Sequence, residues 1–130
     1  MATRIALIAH DDKKSEMIKL VTKNEGILSS FELTGTGKTG KRIMEETDLD
    51  VDRKETGPIG GETQIAAEVV DGEIDAIIFL RDPLTAQPHE PDISALLRLC
   101  DVHNVPLTTT RSGAQYVLDG LAREHQAAKA

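Results

Sequence analysis

Residues 75–80, "DAIIFL", decide the fold. After Asp75 come five apolar residues in a row, so side chains on both faces of an extended segment are apolar. A run this short, bounded by "DG" at 71–72 and by Pro83, reads as a central strand buried on both sides. Upstream, "GPIGG" at 57–61 opens a helix from about Glu62 to Val70, with Ile65 and Val69 on one face. Downstream, "RDPLTAQPHEP" at 81–91 carries three prolines and is a loop. Pro91 suits the first turn of the next helix, where Ile93, Leu96, Leu97 and Cys100 follow the i, i+3, i+4, i+7 pattern. A last strand at 105–110, "VPLTTT", and a last helix at 112–122 complete this half.

The other half repeats the alternation. "RIALIA" at 4–9 is a buried strand, followed by "HDD" and a helix that places Met17, Leu20 and Val21 together. "FEL" at 31–33 is a second strand. It runs into "TGTGKTG" at 34–40 and then a short helix, "KRIMEE". Residues 48–56 are polar and irregular, with a short strand near Val51. Apolar strands alternating with amphipathic helices imply an α/β three-layer sandwich around a mainly parallel five-stranded sheet. One domain over 1–122 is expected, and the tail 123–130, "REHQAAKA", has little to bury and should fray.

Composition narrows the partners. The net charge of −7 argues against general nucleic-acid binding, which needs a basic footprint. It leaves room for a small anion in a local pocket. The single cysteine, Cys100, excludes an internal disulfide framework and fits a reducing, cytoplasmic setting. On its apolar helix face it reads as core. The N-terminal apolar run is too short for a signal peptide or a membrane span.

In a parallel sheet, ligands sit beyond the carboxyl ends of the strands. His10, Asp11 and Lys14 follow the first strand. The Gly/Thr loop follows the second. Arg81 and Asp82 follow "DAIIFL", and Arg111 and Ser112 follow the last strand. "TGTGKTG" offers bare amides, hydroxyls and a lysine ahead of a helix, a combination that suits phosphate or a plain helix cap about equally. It lacks Walker A spacing. Gly35, Gly37 and Gly40 do fit GxGxxG, a weak pattern alone. "GPIGGE" reads either as an ordinary helix start, where Glu complements the dipole, or as a base beside bare backbone against which a substrate could lie. "DPLTAQPHEPD" gathers Asp82, His89, Glu90 and Asp92, a set suited to proton transfer, to metal ligation or simply to a solvated loop. His103 and His125 lack polar company in sequence and read as structural or solvent-facing.

Taken together, "ALIAHDDKK", "TGTGKTG", "GPIGGE", "FLRDPLTAQPHEPDISALLRLCDVHNVPL" and the following "TTT" resemble the methylglyoxal synthase family, over residues 4–119. The resemblance implies conversion of dihydroxyacetone phosphate to methylglyoxal and inorganic phosphate, with no metal and no organic cofactor, in a homohexamer. It implies that His10 and Lys14 contact substrate. Thr36, Gly37, Lys38 and Thr39 form the phosphate loop, and Thr56 and Gly57 a second contact. Position 62 abstracts the proton, His89 polarises the carbonyl, and Asp11, Asp82 and Asp92 support them.

Two departures fall in the site. The family carries Asp where this chain has Glu62, and Thr-Gly-Thr-Thr-Gly where it has "TGKTG", so Lys38 replaces a hydroxyl. Thr56 stands for the usual Ser, a mild change. One extra methylene moves a carboxylate by roughly an ångström, a displacement that can cost about 100-fold in rate. A slow lyase is therefore one expectation, and a non-catalytic phospho-ligand-binding module of the same fold is the other. A metal-dependent hydrolase using His10, His89 and the aspartates is the weakest reading.

Overall fold

Residues 2–129 are described by a computed structural model. Strands β1 (Arg4–Ala9), β2 (Glu32–Gly35), β3 (Asp52–Arg53), β4 (Ala76–Leu80) and β5 (Leu107–Thr108) form one sheet in the order β3-β2-β1-β4-β5. All four pairings are parallel. The helices are α1 (Lys14–Lys23), α2 (Glu25–Leu28), α3 (Gly37–Glu46), α4 (Gly61–Val70), α5 (Glu90–His103) and α6 (Arg111–Lys129).

Strand alternation builds two cores. Ile5, Leu7 and Ala9 of β1 join Ile78 and Leu80 of β4 on one face, beneath Met17, Leu20, Val21, Ile43, Ala114 and Leu118. Ala6, Ile8, Ile77 and Phe79 point the other way, onto Ile65, Ala66 and Val69 of α4 and Ile93, Leu96 and Cys100 of α5. Helices thus cover both faces, as the continuous apolar runs of β1 and β4 require. The chain winds from β1 out to β3, then crosses to β4 and β5 on the other side. The order reverses at β1, so a crevice opens there at the carboxyl ends.

Three boundaries differ from the sequence reading. Thr34 and Gly35 finish β2, Thr36 alone makes the turn, and α3 begins at Gly37 instead of residue 41. The glycines there serve close packing: a Cβ on Gly35 would lie 2.8 Å from the Leu7 carbonyl oxygen, and one on Gly37 2.9 Å from that of Lys54. β5 keeps only two of the six residues expected of it, pairing Leu107 and Thr108 with Ile77 and Ile78. α6 continues to Lys129, seven residues past the expected end. No proline or glycine follows Gly120, and the segment is rich in good helix formers. His125 lays its ring edge-on against Phe31, centroids 5.5 Å apart.

Candidate active site

β1 ends at Ala9, and the His10 N–H donates to the Leu80 carbonyl at 3.1 Å, which ties the exits of β1 and β4 together. His10, Asp11 and Lys14 therefore stand over the centre of the sheet. Thr36 and Lys38 reach the same place from the start of α3, Thr56 and Gly57 from the loop after β3, Glu62 from the first turn of α4, and His89 from the loop after β4. These nine residues line one cavity of about 100 Å³. Ala9, Pro58 and Gln87 line it too and went unnoticed in the sequence. Gln87 could have been suspected, since it lies two residues from His89 in the same loop.

The remaining four expected residues lie just outside. The Gly37 N–H donates to the Glu55 carbonyl at 3.1 Å. The Thr39 hydroxyl accepts the Ala9 N–H and the Thr36 hydroxyl, both at 3.2 Å, and so pins α3 to β1. Asp82 turns its carboxylate to the Leu84 N–H at 3.0 Å and gives its own N–H to His10 Nδ1 at 2.8 Å. Asp92 occupies the first turn of α5, close enough to Glu62 to act on its charge.

Glu62 is only 1% exposed, and its Oε1 lies 3.5 Å from His89 Nε2. Burial is the main force raising its pKa. The Asp92 charge adds to the rise, while a main-chain hydrogen bond and His89 oppose it. His89 caps α5, its carbonyl accepting the Asp92 and Ile93 N–H groups at 3.0 and 3.2 Å. Burial also pushes the His10 pKa down, helped by His89 and Arg81. Lys14 Nζ donates to the Ala9 carbonyl at 2.7 Å and pairs with Asp11 at 3.1 Å, and this bond holds the Asp11 carboxyl below its ordinary range. Three buried polar atoms at this site find no partner among the described residues: His10 Nε2, Glu62 Oε2 and His89 Nδ1. Unpaired buried polar groups are costly and cluster where a ligand completes them.

Gly57 also makes room inside the site. A Cβ there would lie 2.6 Å from His89 Nε2 and 3.0 Å from both Glu62 oxygens. The bare backbone makes room for the acid–imidazole pair itself. Gly60 takes φ +112°, a left-handed turn that aims the start of α4 at the cavity.

Two larger clefts lie elsewhere: about 780 Å³ between α1 and α6, and about 650 Å³ at the opposite, acidic rim. Neither contains Glu62 or His89. Among the described residues, no group of three or more His, Cys, Asp or Glu side chains is placed to hold a metal ion. No helix there is long and apolar enough to cross a membrane.

A parallel α/β domain with a buried acid–imidazole pair beside a glycine-rich helix start is thus the class defined by fold and site. The MGS-like domain family model matches residues 16–109. The chain is 53% identical to the methylglyoxal synthase of Cupriavidus taiwanensis over 98% of its own length and 96% of the relative's. It is 54% identical to that of Borreliella afzelii over 93% and 95%. The crystal structure of methylglyoxal synthase from Elizabethkingia anophelis superposes with a TM-score of 0.84 at 40% identity, covering 90% of this chain and 77% of that one. The chain belongs to the methylglyoxal synthase family.

Proposed function

We propose that this protein is a lyase that converts dihydroxyacetone phosphate to methylglyoxal and inorganic phosphate through an enediolate. The observation that carries the reading is the buried Glu62–His89 pair, with unpartnered polar atoms around a cavity sized for a small ligand. Glu62 is the base. It takes a proton from the hydroxyl-bearing carbon on the side of the carbonyl away from the phosphate ester, and the electron pair moves into the carbonyl to give the enediolate. His89 polarises that carbonyl and handles the oxygen proton. The C–O bond to phosphate then breaks, phosphate leaves with the electron pair, and the enol product takes up a proton to become methylglyoxal.

Lys14 and the first turn of α3 receive the departing charge. The Lys38 and Thr39 amides lie in that turn, where no intrahelical acceptor exists. Thr36 and Lys38 line the same cavity. Thr56 and Gly57 close its far side. Asp11 orients Lys14, and Asp92 helps keep the Glu62 carboxyl basic. The chemistry uses no metal and no organic cofactor. The expected setting is the cytoplasm, and the expected assembly is a homohexamer, which sedimentation would test.

The deciding experiment follows phosphate and methylglyoxal release from dihydroxyacetone phosphate for the wild type, Glu62→Asp and Glu62→Gln. Turnover that Asp speeds and Gln abolishes establishes Glu62 as a detuned base. An inert Asp variant that still binds phosphate in calorimetry replaces the lyase with a phospho-ligand-binding module.

A further inference from the structure

The two buried histidines are held in different ways, and the difference assigns a role to His10. Its ring stands edge-on to Phe79, centroids 5.2 Å apart, and to His89, 6.2 Å apart. Its Nδ1 accepts the main-chain N–H of Asp82 at 2.8 Å. A main-chain amide is a permanent donor, so the nitrogen facing it must keep its lone pair. The ring proton then sits on Nε2. That atom is buried, lacks a partner among the described residues and belongs to a residue that lines the cavity.

We propose that the Asp82 main-chain amide locks His10 as the neutral Nε2–H tautomer, which makes His10 a fixed hydrogen-bond donor to an acceptor oxygen of the ligand. Asp82 is a positioning residue in this scheme and acts through its backbone. Its carboxylate only shapes the loop, through the Leu84 N–H. A doubly protonated His10 would set two donors against each other at Nδ1, so the ring is a donor without being an acid. His89 has no such lock: its Nε2 faces Glu62 and its Nδ1 is unpartnered. The pair divides into a proton-handling imidazole and a proton-retaining one. The donor's use in turnover rests on the lyase reading, whereas the tautomer is independent of it.

The test is long-range proton–nitrogen correlation NMR on the full chain with nitrogen-15-labelled histidine at neutral pH, with and without inorganic phosphate. The His10 signal is assigned by its loss in His10→Gln. If that variant does not fold, it is assigned by elimination, using the other three histidines. An unprotonated Nδ1 and a protonated Nε2 in both samples support the proposal. A proton on Nδ1, a tautomer mixture or a doubly protonated ring overturns it.

A second readout separates donor from filler. Gln places its amide NH₂ near the Nε2 position and Asn near Nδ1. His10→Gln should retain phosphate affinity or turnover within about tenfold, while His10→Asn loses about 10- to 100-fold more. Loss of phosphate affinity means that the donor meets the phosphate, and loss of kcat alone means that it meets the carbonyl oxygen. Equal loss in both variants overturns the donor role. If no variant and no wild-type sample turns over, the lyase reading fails while the tautomer result stands.

Discussion

A carboxylate that takes a proton from carbon has to be dry enough to be basic, yet ionised when its substrate arrives. Glu62, the base in the proposed reaction, meets the first demand by burial and pays for it in stability. Its folded pKa lies above the unfolded value, so the native state binds more protons in the interval between the two. Stability therefore falls as pH rises through that window, and the loss persists at neutral pH. Glu62→Gln should abolish turnover and raise Tm at pH 7 by several degrees, with the gain vanishing at about pH 4, where the wild-type carboxyl is protonated in both states. Calorimetric melts across pH check this. Lys38, exposed at the cavity mouth, acts through a screened charge. Lys38→Thr should weaken phosphate binding only a few-fold, and added salt should shrink the difference, as titration calorimetry can measure. The identity of Glu62 is plain in "GPIGGE" as a carboxylate at a helix start. Its unpartnered Oε2 is not, because that depends on how His89, 27 positions later, packs against it.

At the level of elements, the site is set by how closely three backbone segments approach one another. β3 and the loop after it are laced to the end of β2 by the Lys54 N–H on the Gly35 carbonyl at 2.8 Å and to the start of α3 by the Arg53 side chain on the Gly37 carbonyl at 3.0 Å. The same loop is laced to α4 by the Gly61 N–H on the Thr56 carbonyl at 3.0 Å. Gly57 lies between these ties. Gly57→Ala should leave the melting curve within about 1 kcal/mol of wild type yet lower kcat by about 100-fold or more, since its methyl must displace Glu62 or His89. An unchanged kcat would show that the pair has slack. The alternation of strands and helices was readable from hydrophobic periodicity. The start of α3 was not, because glycine and threonine read locally as a turn. The glycines there serve close packing, of Gly35 on Leu7 at the end of β2 and of Gly37 on Lys54 at the start of α3, neighbours that a local pattern does not contain.

Across the whole molecule, the parallel sheet separates chemistry from cohesion. The carboxyl ends of the strands carry the cavity, and the amino ends carry ion pairs. Arg4 pairs with Asp52 at 2.8 Å and Glu68 at 2.9 Å, and Lys54 pairs with both acids as well. Arg4→Met should cost about 1–2 kcal/mol in urea unfolding while kcat stays unchanged, because the network joins β1, β3 and α4 at the rim away from Glu62. This polarity was legible in the sequence, since polar residues follow each apolar run. The network was not, because Arg4, Asp52 and Glu68 are brought together only by strand order. The second core holds one further consequence. Cys100 is buried on α5, and burial pushes its thiol up to about 11. A thiol reagent should therefore find no reactive sulfur in the native chain and one after unfolding. Methylglyoxal is attacked by nucleophiles, thiolates above all. If the proposed lyase releases such an electrophile beside its own surface, it is safest with its one thiol sealed inside, and its working life should then be set by damage to its lysines and arginines.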